Sequence, residues 1–473
     1  MFAKLACRRI TSDDPSRTGS PVAHDDLTPL NEDSACDHSF EALELALQHH
    51  AEGDYERAVA LYGEISPLSP SFAEGRYYLG IALHHLGQHA RAVELLRAAV
   101  ADSGGRSDWA NQLGNILIAQ NRLHEAVEVF AQAVEKAPAQ ALLWVNLGAA
   151  QERLSDFSSA EHAYQTAIAL QPQAQDPYRL LSALYARQDR ELEAVRAYCA
   201  GYVVAPRETT TPYLLGKAYY VLGRLDEAAE VYRLWKEAEP DNPVPAHLFV
   251  ACSPQNDGYA IPDRCSDTYV NVTFDEYADH FEGKLNHLEY RGPALLERLL
   301  ALHFRCEPSF SVLDAGCGTG LCAPVLAPYA RSLTGVDLSG SMLEIARQRG
   351  LYEDLSQMDI GAFLSARAQN APPYDLIACM DTLIYFGAID AIFRQFAAHI
   401  KPGGWLIFTS ETSAGNSKAF QLNPSGRFSH AVSYLRQTME DCGFDCRVLD
   451  HETLRTELQT PVAGVIVLAR RIG

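Results

Sequence analysis

The 473-residue chain contains no Cys-x-x-Cys pair among its eleven cysteines. Cys317 and Cys322 stand five apart and Cys442 and Cys446 four apart, and neither is zinc-finger spacing. The odd, scattered set excludes a disulfide framework in so long a chain. It implies reduced thiols, no metal site and a cytoplasmic setting. No apolar run approaches the roughly 20 residues that cross a bilayer, so no membrane span is expected. The opening stretch, MFAKLACRRITSDDPSRTGSPVAHDDLTPLNEDSACD, lacks the apolar core of a signal peptide. Its Asp, Ser, Thr and Pro content predicts disorder over residues 1–38. Basic residues are scarce: 39 Lys and Arg against 60 Asp and Glu leave a formal charge of −21. Non-specific binding to nucleic acid or to an anionic membrane is not expected from that balance.

An apolar fraction of 47% is ordinary for globular protein, and the length calls for two or three domains. The first is a repeat. Blocks beginning at Ser39, Ala73, Ser107, Ala141, Gln175 and Thr209 align at a fixed period of 34 residues. The twentieth position is Ala58, Ala92, Ala126, Ala160, Ala194 and Ala228. The eighth is small: Ala46, Gly80, Gly114, Gly148, Ser182 and Gly216. The twenty-fourth is large: Tyr62, Leu96, Phe130, Tyr164, Tyr198 and Tyr232. Proline closes five of the six blocks. Each block reads as two short amphipathic helices. Small residues let the pair approach, and the large residue fills the gap beside them. Such pairs bury their apolar faces only by stacking. Residues 39–242 strongly resemble tetratricopeptide repeats, an α-solenoid. The resemblance implies a groove for a protein or peptide partner. Asn115 and Asn146 stand at positions like those of the family's carboxylate clamp. Asp176 and Leu180 replace the expected basic partners, which argues against a chaperone-tail clamp.

Prolines and polar residues over 243–272 read as a linker. The break in pattern after Pro240 implies a repeat module separable from the C-terminal half. Residues 273–303 then read as helix, with Phe274, Tyr277, Ala278 and Phe281 on one face. From Ser311 onward, short apolar runs alternate with helical patterns near 341–349, 388–399 and 429–442. That alternation calls for a mostly parallel sheet with helices on both faces, a doubly wound Rossmann-like domain over 273–473.

The stretch SVLDAGCGTG runs from such a strand into a turn. Gly316 and Gly318 permit dihedrals a Cβ forbids and let a ligand lie against backbone. The spacing G-x-G-x-G is not the G-x-G-x-x-G of nicotinamide enzymes, and no Gly-Lys-Ser/Thr follows as in a P-loop. VLDAGCGTG, TGVDLSGSML, SQMDI, YDLIACMDTLIYF and KPGGWLIFTSE, in that order, resemble the class I S-adenosylmethionine-dependent methyltransferases. The chain also resembles a bacterial group of such enzymes with an N-terminal repeat array, which shares FDEYADHFEGKL and LNPSGRFSHAVSYLRQTMEDCGF.

The resemblance implies an S-adenosylmethionine site. Asp337 would accept hydrogen bonds from both ribose hydroxyls. Asp359 and Ile360 would lie beside the adenine, and Asp314 near the methionine part. Gly316, Gly318, Leu338 and Met380 complete the donor set. Tyr277 and Phe281 either cover the donor or pack the entrance helix on the sheet. On the acceptor side the candidates are Arg427, His430 and Tyr385, with His430 and Asp381 as proton acceptors. Each of these has an alternative as a surface or supporting residue. The leading expectation is a methyltransferase of unknown acceptor whose repeats recruit a partner or substrate. The alternative is a donor-binding scaffold with little turnover.

Overall fold

The computed structural model describes residues 32–206, 209–253, 261–275, 278–367, 371–413 and 418–472. Contacts divide the chain into two compact units, Met1–Leu154 and Ser155–Gly473.

The first unit holds α1 (Glu32–Glu52), α2 (Tyr55–Tyr62), α3 (Phe72–His85), α4 (His89–Asp102), α5 (Ser107–Ala119), α6 (Leu123–Lys136) and α7 (Ala141–Arg153). Helix α1 starts within the segment expected to be disordered, and residues before it lie outside the described ones. The second unit opens with α8 (Phe157–Leu170), α9 (Gln175–Ala186), α10 (Glu191–Val204), α11 (Pro212–Val221) and α12 (Leu225–Ala238). The 34-residue period is also written in the backbone. Gly53, Gly87, Asn121, Ser155, Asp189 and Gly223 all have left-handed φ, between 57° and 82°, at the turn between the two helices of a pair. Gly and short polar residues tolerate that conformation at least cost.

Packing follows the small-against-large rule. A Cβ on Gly80 would come within 2.7 Å of Leu96, on Gly114 within 2.3 Å of Phe130, and on Gly216 within 2.4 Å of Tyr232. Five of the six large residues are buried. The exception is Tyr198, which is 57% exposed. Its block carries Ser182 at the small position, and the Ser182 hydroxyl donates to the Ala194 carbonyl at 2.8 Å. In the first unit Asn146 donates to Asn111 Oδ1 at 2.6 Å, so this clamp-like side chain is engaged within the array.

The stretch expected to be a linker contains α13 (Pro243–Cys252) and α14 (Asp267–Asp275). Pro243 opens a helix rather than breaking one, because the first helical turn needs no proline N–H. Asn242 caps it, accepting from the Val244 N–H at 3.0 Å. The expected separation after Pro240 is also corrected. Ala228 and Tyr232 of α12, Leu248 and Phe249 of α13 and Tyr269 of α14 share one core with Leu422 and Phe428.

The region expected to be one long helix is interrupted. After α14 come α15 (Phe281–His287) and α16 (Gly292–His303). Glu289 lies at φ 50° between them, and Pro293 opens α16.

The sheet comes next: β1 (Phe310–Ala315), β2 (Ala330–Asp337), β3 (Asp354–Gln357), β4 (Tyr374–Cys379) and β5 (Ile400–Glu411). A hairpin of β6 (Phe420–Leu422) and β7 (Phe428–His430) stands apart, and β8 (Phe444–Glu457) and β9 (Thr460–Arg471) complete the sheet. The order is β3-β2-β1-β4-β5-β9-β8. Strands β1 to β5 are parallel, and β9 runs antiparallel to both neighbours. Helices α17 (Ala323–Leu326), α18 (Gly340–Gln348), α19 (Ile360–Ala366), α20 (Asp390–His399) and α21 (Val432–Asp441) connect the strands. Alternation puts Leu313, Ile377 and Leu406 on the face packed by α19, α20 and α21, while Val312, Leu376 and Ile407 face α16 and α17. Residues 429–431, read as the start of a helix, are extended because β7 pairs with β6 and buries Phe428.

Phe428 has no exposed surface, and its truncation leaves a cavity in the shared core. Phe428→Ala is expected to destabilise this unit by about 3–5 kcal/mol in denaturant melts. Deleting residues 1–242 uncovers the same core and is expected to give an aggregating fragment. A monomeric, cooperatively folding 243–473 fragment would overturn the shared-core account.

Candidate functional site

In a parallel sheet the strand ends that carry the crossovers form a crevice beyond their carboxyl termini. Here that crevice opens into a cavity of about 1320 Å³. Its sheet side is built from the β1 turn, the end of β2, the loop after β3 and the end of β4.

The β1 turn carries the glycines. Gly316 has φ 78°, and a Cβ there would lie 2.3 Å from Thr382 Oγ1. Gly318 has φ 53° and nothing within 4 Å of where a Cβ would stand. Its N–H donates to Asp337 Oδ2 at 2.8 Å, while the Ser339 N–H donates to Oδ1 at 2.9 Å. These bonds fix the Asp337 carboxylate at the end of β2 and leave each oxygen a further lone pair. Burial raises the Asp337 pKa, against the pull of the two backbone donors. Leu338 beside it also lines the cavity.

Asp314 is 2% exposed and accepts the Tyr352 hydroxyl at 2.7 Å. Burial pushes its pKa up to about 7, although that hydrogen bond opposes the shift. Ile360 and Met380 add buried apolar lining. Asp359 lines the cavity too, but its carboxylate is engaged: Oδ1 accepts the Ala362 N–H, capping α19, and Oδ2 accepts from Arg264 at 2.8 Å. Tyr277 lies outside the described residues. Phe281 lines the cavity and meets Phe274 edge-on at 5.8 Å.

Beyond β4 the floor is charged. Arg455 of β8, 3% exposed, contacts three carboxylates: Asp381 at 2.9 Å, Glu457 at 2.7 Å, and Glu411. Arg427 pairs with Glu411 at 2.9 Å and with Glu457 at 2.5 Å. Asp381 has φ 52°, a left-handed conformation that short acids tolerate, and its N–H donates to Thr409 Oγ1 at 2.7 Å. Burial raises the Asp381 pKa, with Arg455 opposing.

Two acceptor-side expectations are corrected. His430 is fully buried and does not line the cavity. Its Nε2 donates to the Gly387 carbonyl at 3.1 Å and its Nδ1 meets Ser410 Oγ at 2.8 Å, so both nitrogens are engaged. Burial lowers its pKa to about 4, which keeps it neutral. Arg427 does line the cavity, but its guanidinium is held by two carboxylates rather than open to an anion. Tyr385 lines the cavity and meets Phe274 edge-on at 5.5 Å.

Sequence reasoning missed Arg455, Glu457 and Tyr290, as well as Tyr198, Tyr202, Tyr213 and Lys217 of α10 and α11, all of which line the cavity. Only Tyr198 carried a signal. It occupies a core position in a block whose small residue is Ser182.

The family models match two regions. One, described as a methyltransferase domain, matches residues 286–447; the other, described as a tetratricopeptide repeat, matches 43–107, 111–158 and 213–243. The chain carries a methyltransferase domain and tetratricopeptide repeats. A ubiquinone biosynthesis O-methyltransferase of Coxiella burnetii (strain Dugway 5J108-111) is 32% identical over 152 residues, covering 29% of this chain and 64% of that protein. The chain thus spans less than two thirds of that relative. A magnesium protoporphyrin IX methyltransferase structure from Synechocystis PCC 6803 with bound S-adenosylmethionine is 19% identical, at a TM-score of 0.35, over 45% of this chain and 98% of that one. A MamA structure from Desulfovibrio magneticus RS-1 is 21% identical, at a TM-score of 0.34, over 37% and 98%.

S-adenosylmethionine is the cofactor of this domain type, and the residues present fit it. The carboxylate of Asp337 is fixed beside a backbone turn that no side chain covers at Gly318. In the same turn the buried Thr319 hydroxyl has no hydrogen-bond partner among the described residues. Among the described residues no cluster of three or more His, Cys, Asp or Glu could hold a metal, and no helix is long and apolar enough to cross a membrane.

The raised pKa of Asp314 makes stability depend on pH. Below about pH 4 the carboxyl is protonated in both folded and unfolded chains. Between about 4 and 7 the unfolded chain releases the proton while the folded one keeps it, so stability falls as pH rises. Asp314→Asn is expected to gain stability over the parent across that window, by up to about 4 kcal/mol, and to hold a constant advantage above it. Urea melts from pH 4.5 to 8 check this. A gap that does not change with pH would mean Asp314 is ionised in the folded chain.

Proposed function

We propose that the chain is an S-adenosylmethionine-dependent methyltransferase that methylates a hydroxyl group on a small acceptor. Its repeats, we infer, recruit a protein partner or the substrate. The observation that carries the donor assignment is the glycine turn locked to the Asp337 carboxylate over one cavity. When bound, the cofactor supplies a methyl group on a sulfonium, already activated for in-line displacement. The protein's work is therefore alignment and exclusion of water.

In this reading Asp337 binds the ribose hydroxyls, Gly316 and Gly318 bring backbone against the donor, and Leu338, Ile360 and Met380 pack its base. Asp359 contributes through its position at the rim, because its carboxylate is held by Arg264 and the α19 cap. Asp314 lies at the methionine end. Tyr385 shields the acceptor side.

A hydroxyl becomes a good nucleophile only if its proton has somewhere to go. Asp381 is suited to take it. It lines the cavity, Arg455 holds its Oδ1, and burial makes it a stronger base than an exposed carboxylate. The oxygen chemistry is also that named for the Coxiella relative. Glu411 and Glu457 offset both guanidiniums; Arg455 aims Asp381, and Arg427 bridges the two glutamates.

Asp337→Ala is expected to weaken donor binding by roughly 1.5–3 kcal/mol in calorimetry, with the fold retained. Unchanged affinity in a folded variant would remove Asp337 from the donor site. For the base, Asp381→Asn keeps shape and tolerates the left-handed backbone. It is expected to bind donor normally and to lower label transfer from donor into a cell extract by about 100-fold or more. Transfer at the parent rate would exclude Asp381 as proton acceptor. A parent protein that binds donor but transfers nothing would favour a donor-binding scaffold.

A further inference from the structure

The cavity does not end at the catalytic sheet. Its far wall is made by α10 and α11, the second helix of the fifth repeat and the first of the sixth. Binding pockets for one drug-sized ligand occupy roughly 300–1,000 Å³. At about 1320 Å³ this cavity has room for a donor and a second molecule side by side.

The far wall departs from the rule that builds the rest of the array. Tyr198 holds the large core position of its block, yet it is turned outward and 57% exposed, while its five counterparts are buried. It stacks on Tyr202, one turn further along α10, with ring centroids 5.9 Å apart and planes at 28°. Both line the cavity, with Tyr213 and Leu214 of α11. Beside them Lys217 lines the same wall and makes no ion pair among the described residues, its ammonium lying 6.0 Å from the Tyr213 ring centre. Lys284 of α15 lines the cavity nearby; burial, and then Lys217 and Arg427, lower its pKa. Of the carboxylates on this side, Glu457 is held by Arg427 and Arg455, Glu289 accepts the Thr456 hydroxyl, and Glu191 stands at the start of α10, two turns before Tyr198, with Arg196 on the same helix. The hairpin between β8 and β9 reaches the turn that precedes α10. Leu458 and Gln459 take left-handed φ of 48° and 59° at its tip, and the Gln459 side chain donates to the Asp189 carbonyl at 3.3 Å.

We propose that α10 and α11 are the acceptor-binding wall of the active site, selecting a small molecule with an aromatic body and an anionic group. The ring lies on Tyr198 and Tyr202, and the anion meets Lys217. This rests on the methyltransferase reading for the reaction but not for the binding. A stacked aromatic pair offers a ring a flat face, and an ammonium with no ion pair among the described residues favours an anion. A peptide in the array's groove would instead meet the first helices of successive repeats, and α9 contributes nothing to this cavity.

The test uses the full-length protein saturated with S-adenosylhomocysteine, titrated by fluorescence with two probes. One is the anionic anilinonaphthalene sulfonate and the other its neutral counterpart, phenylnaphthylamine. Tyr198→Ala is expected to weaken both by about fivefold. Lys217→Gln is expected to weaken the sulfonate alone, by about tenfold. Both side chains are exposed, so the fold should survive, and unchanged S-adenosylhomocysteine affinity verifies it. Probe affinities equal to the parent's in both variants overturn the proposal. Equal losses of both probes in Lys217→Gln overturn the anionic class and keep the aromatic wall. Failure of the parent to bind S-adenosylhomocysteine would sink the donor assignment instead, and the probe titrations run without it would still report on the wall.

Discussion

Arg455 carries a full charge where almost no water reaches it. Removing a guanidinium from water costs several kcal/mol unless carboxylates and hydrogen bonds replace the solvent. Three carboxylates do so, from the ends of β4, β5 and β8. The demand for them shapes the floor of the cavity. It places Asp381 beyond β4 in a left-handed conformation, holds Glu411 at the end of β5, and draws Arg427 in as a second cation. Three acids and two bases leave the cluster with one net negative charge. Burial raises the proton affinity of Asp381, with Arg455 opposing. The excess of carboxylates accounts for why Arg427 is not available to bind an anion.

A second constraint is apolar. The sixth repeat cannot end in water, because the face of α12 that would meet a seventh repeat is apolar. Helix α13 covers it, and α13 in turn carries the β6–β7 hairpin through Phe428 and through the His247 hydrogen bond to the Gly426 carbonyl. Capping the solenoid and positioning Arg427 are therefore one piece of packing. The proline-rich stretch read as a spacer is a structural joint.

Periodic features were legible in the sequence: six repeats at a period of 34, and alternating strands and helices with a glycine turn after the first strand. Both depend on local patterns, namely the small residue opposite a large one and the dihedral freedom of Gly316 and Gly318. The proposed donor side was legible for the same reason, since Asp314, Asp337 and Met380 line the cavity from strand ends that the pattern marks. The acceptor side was not. Arg455 lies in LRTELQT, where charged residues alternate as they do on any solvated strand, and nothing local says that the site is dry. His430 misled for the converse reason. Its sequence neighbours suggest a loop over the site, whereas pairing of β7 with β6 buries it between Ser410 and Gly387. Burial set by partners distant in sequence has no local signature.

Tyr198 ties the repeat array to the catalytic sheet. A repeat array tolerates few departures from its packing rule, because each large residue fills the gap left by a small one. Where Ser182 replaces glycine or alanine, the hydroxyl takes its own partner on Ala194, and the tyrosine turns out of the core. Such a tyrosine facing bulk water would expose a large ring to no advantage. Here it faces the cavity that also holds Asp381 and the glycine turn. The core position given up in the fifth repeat thus becomes cavity surface, and in the proposed reading the solenoid's last turns serve the active site as much as the scaffold.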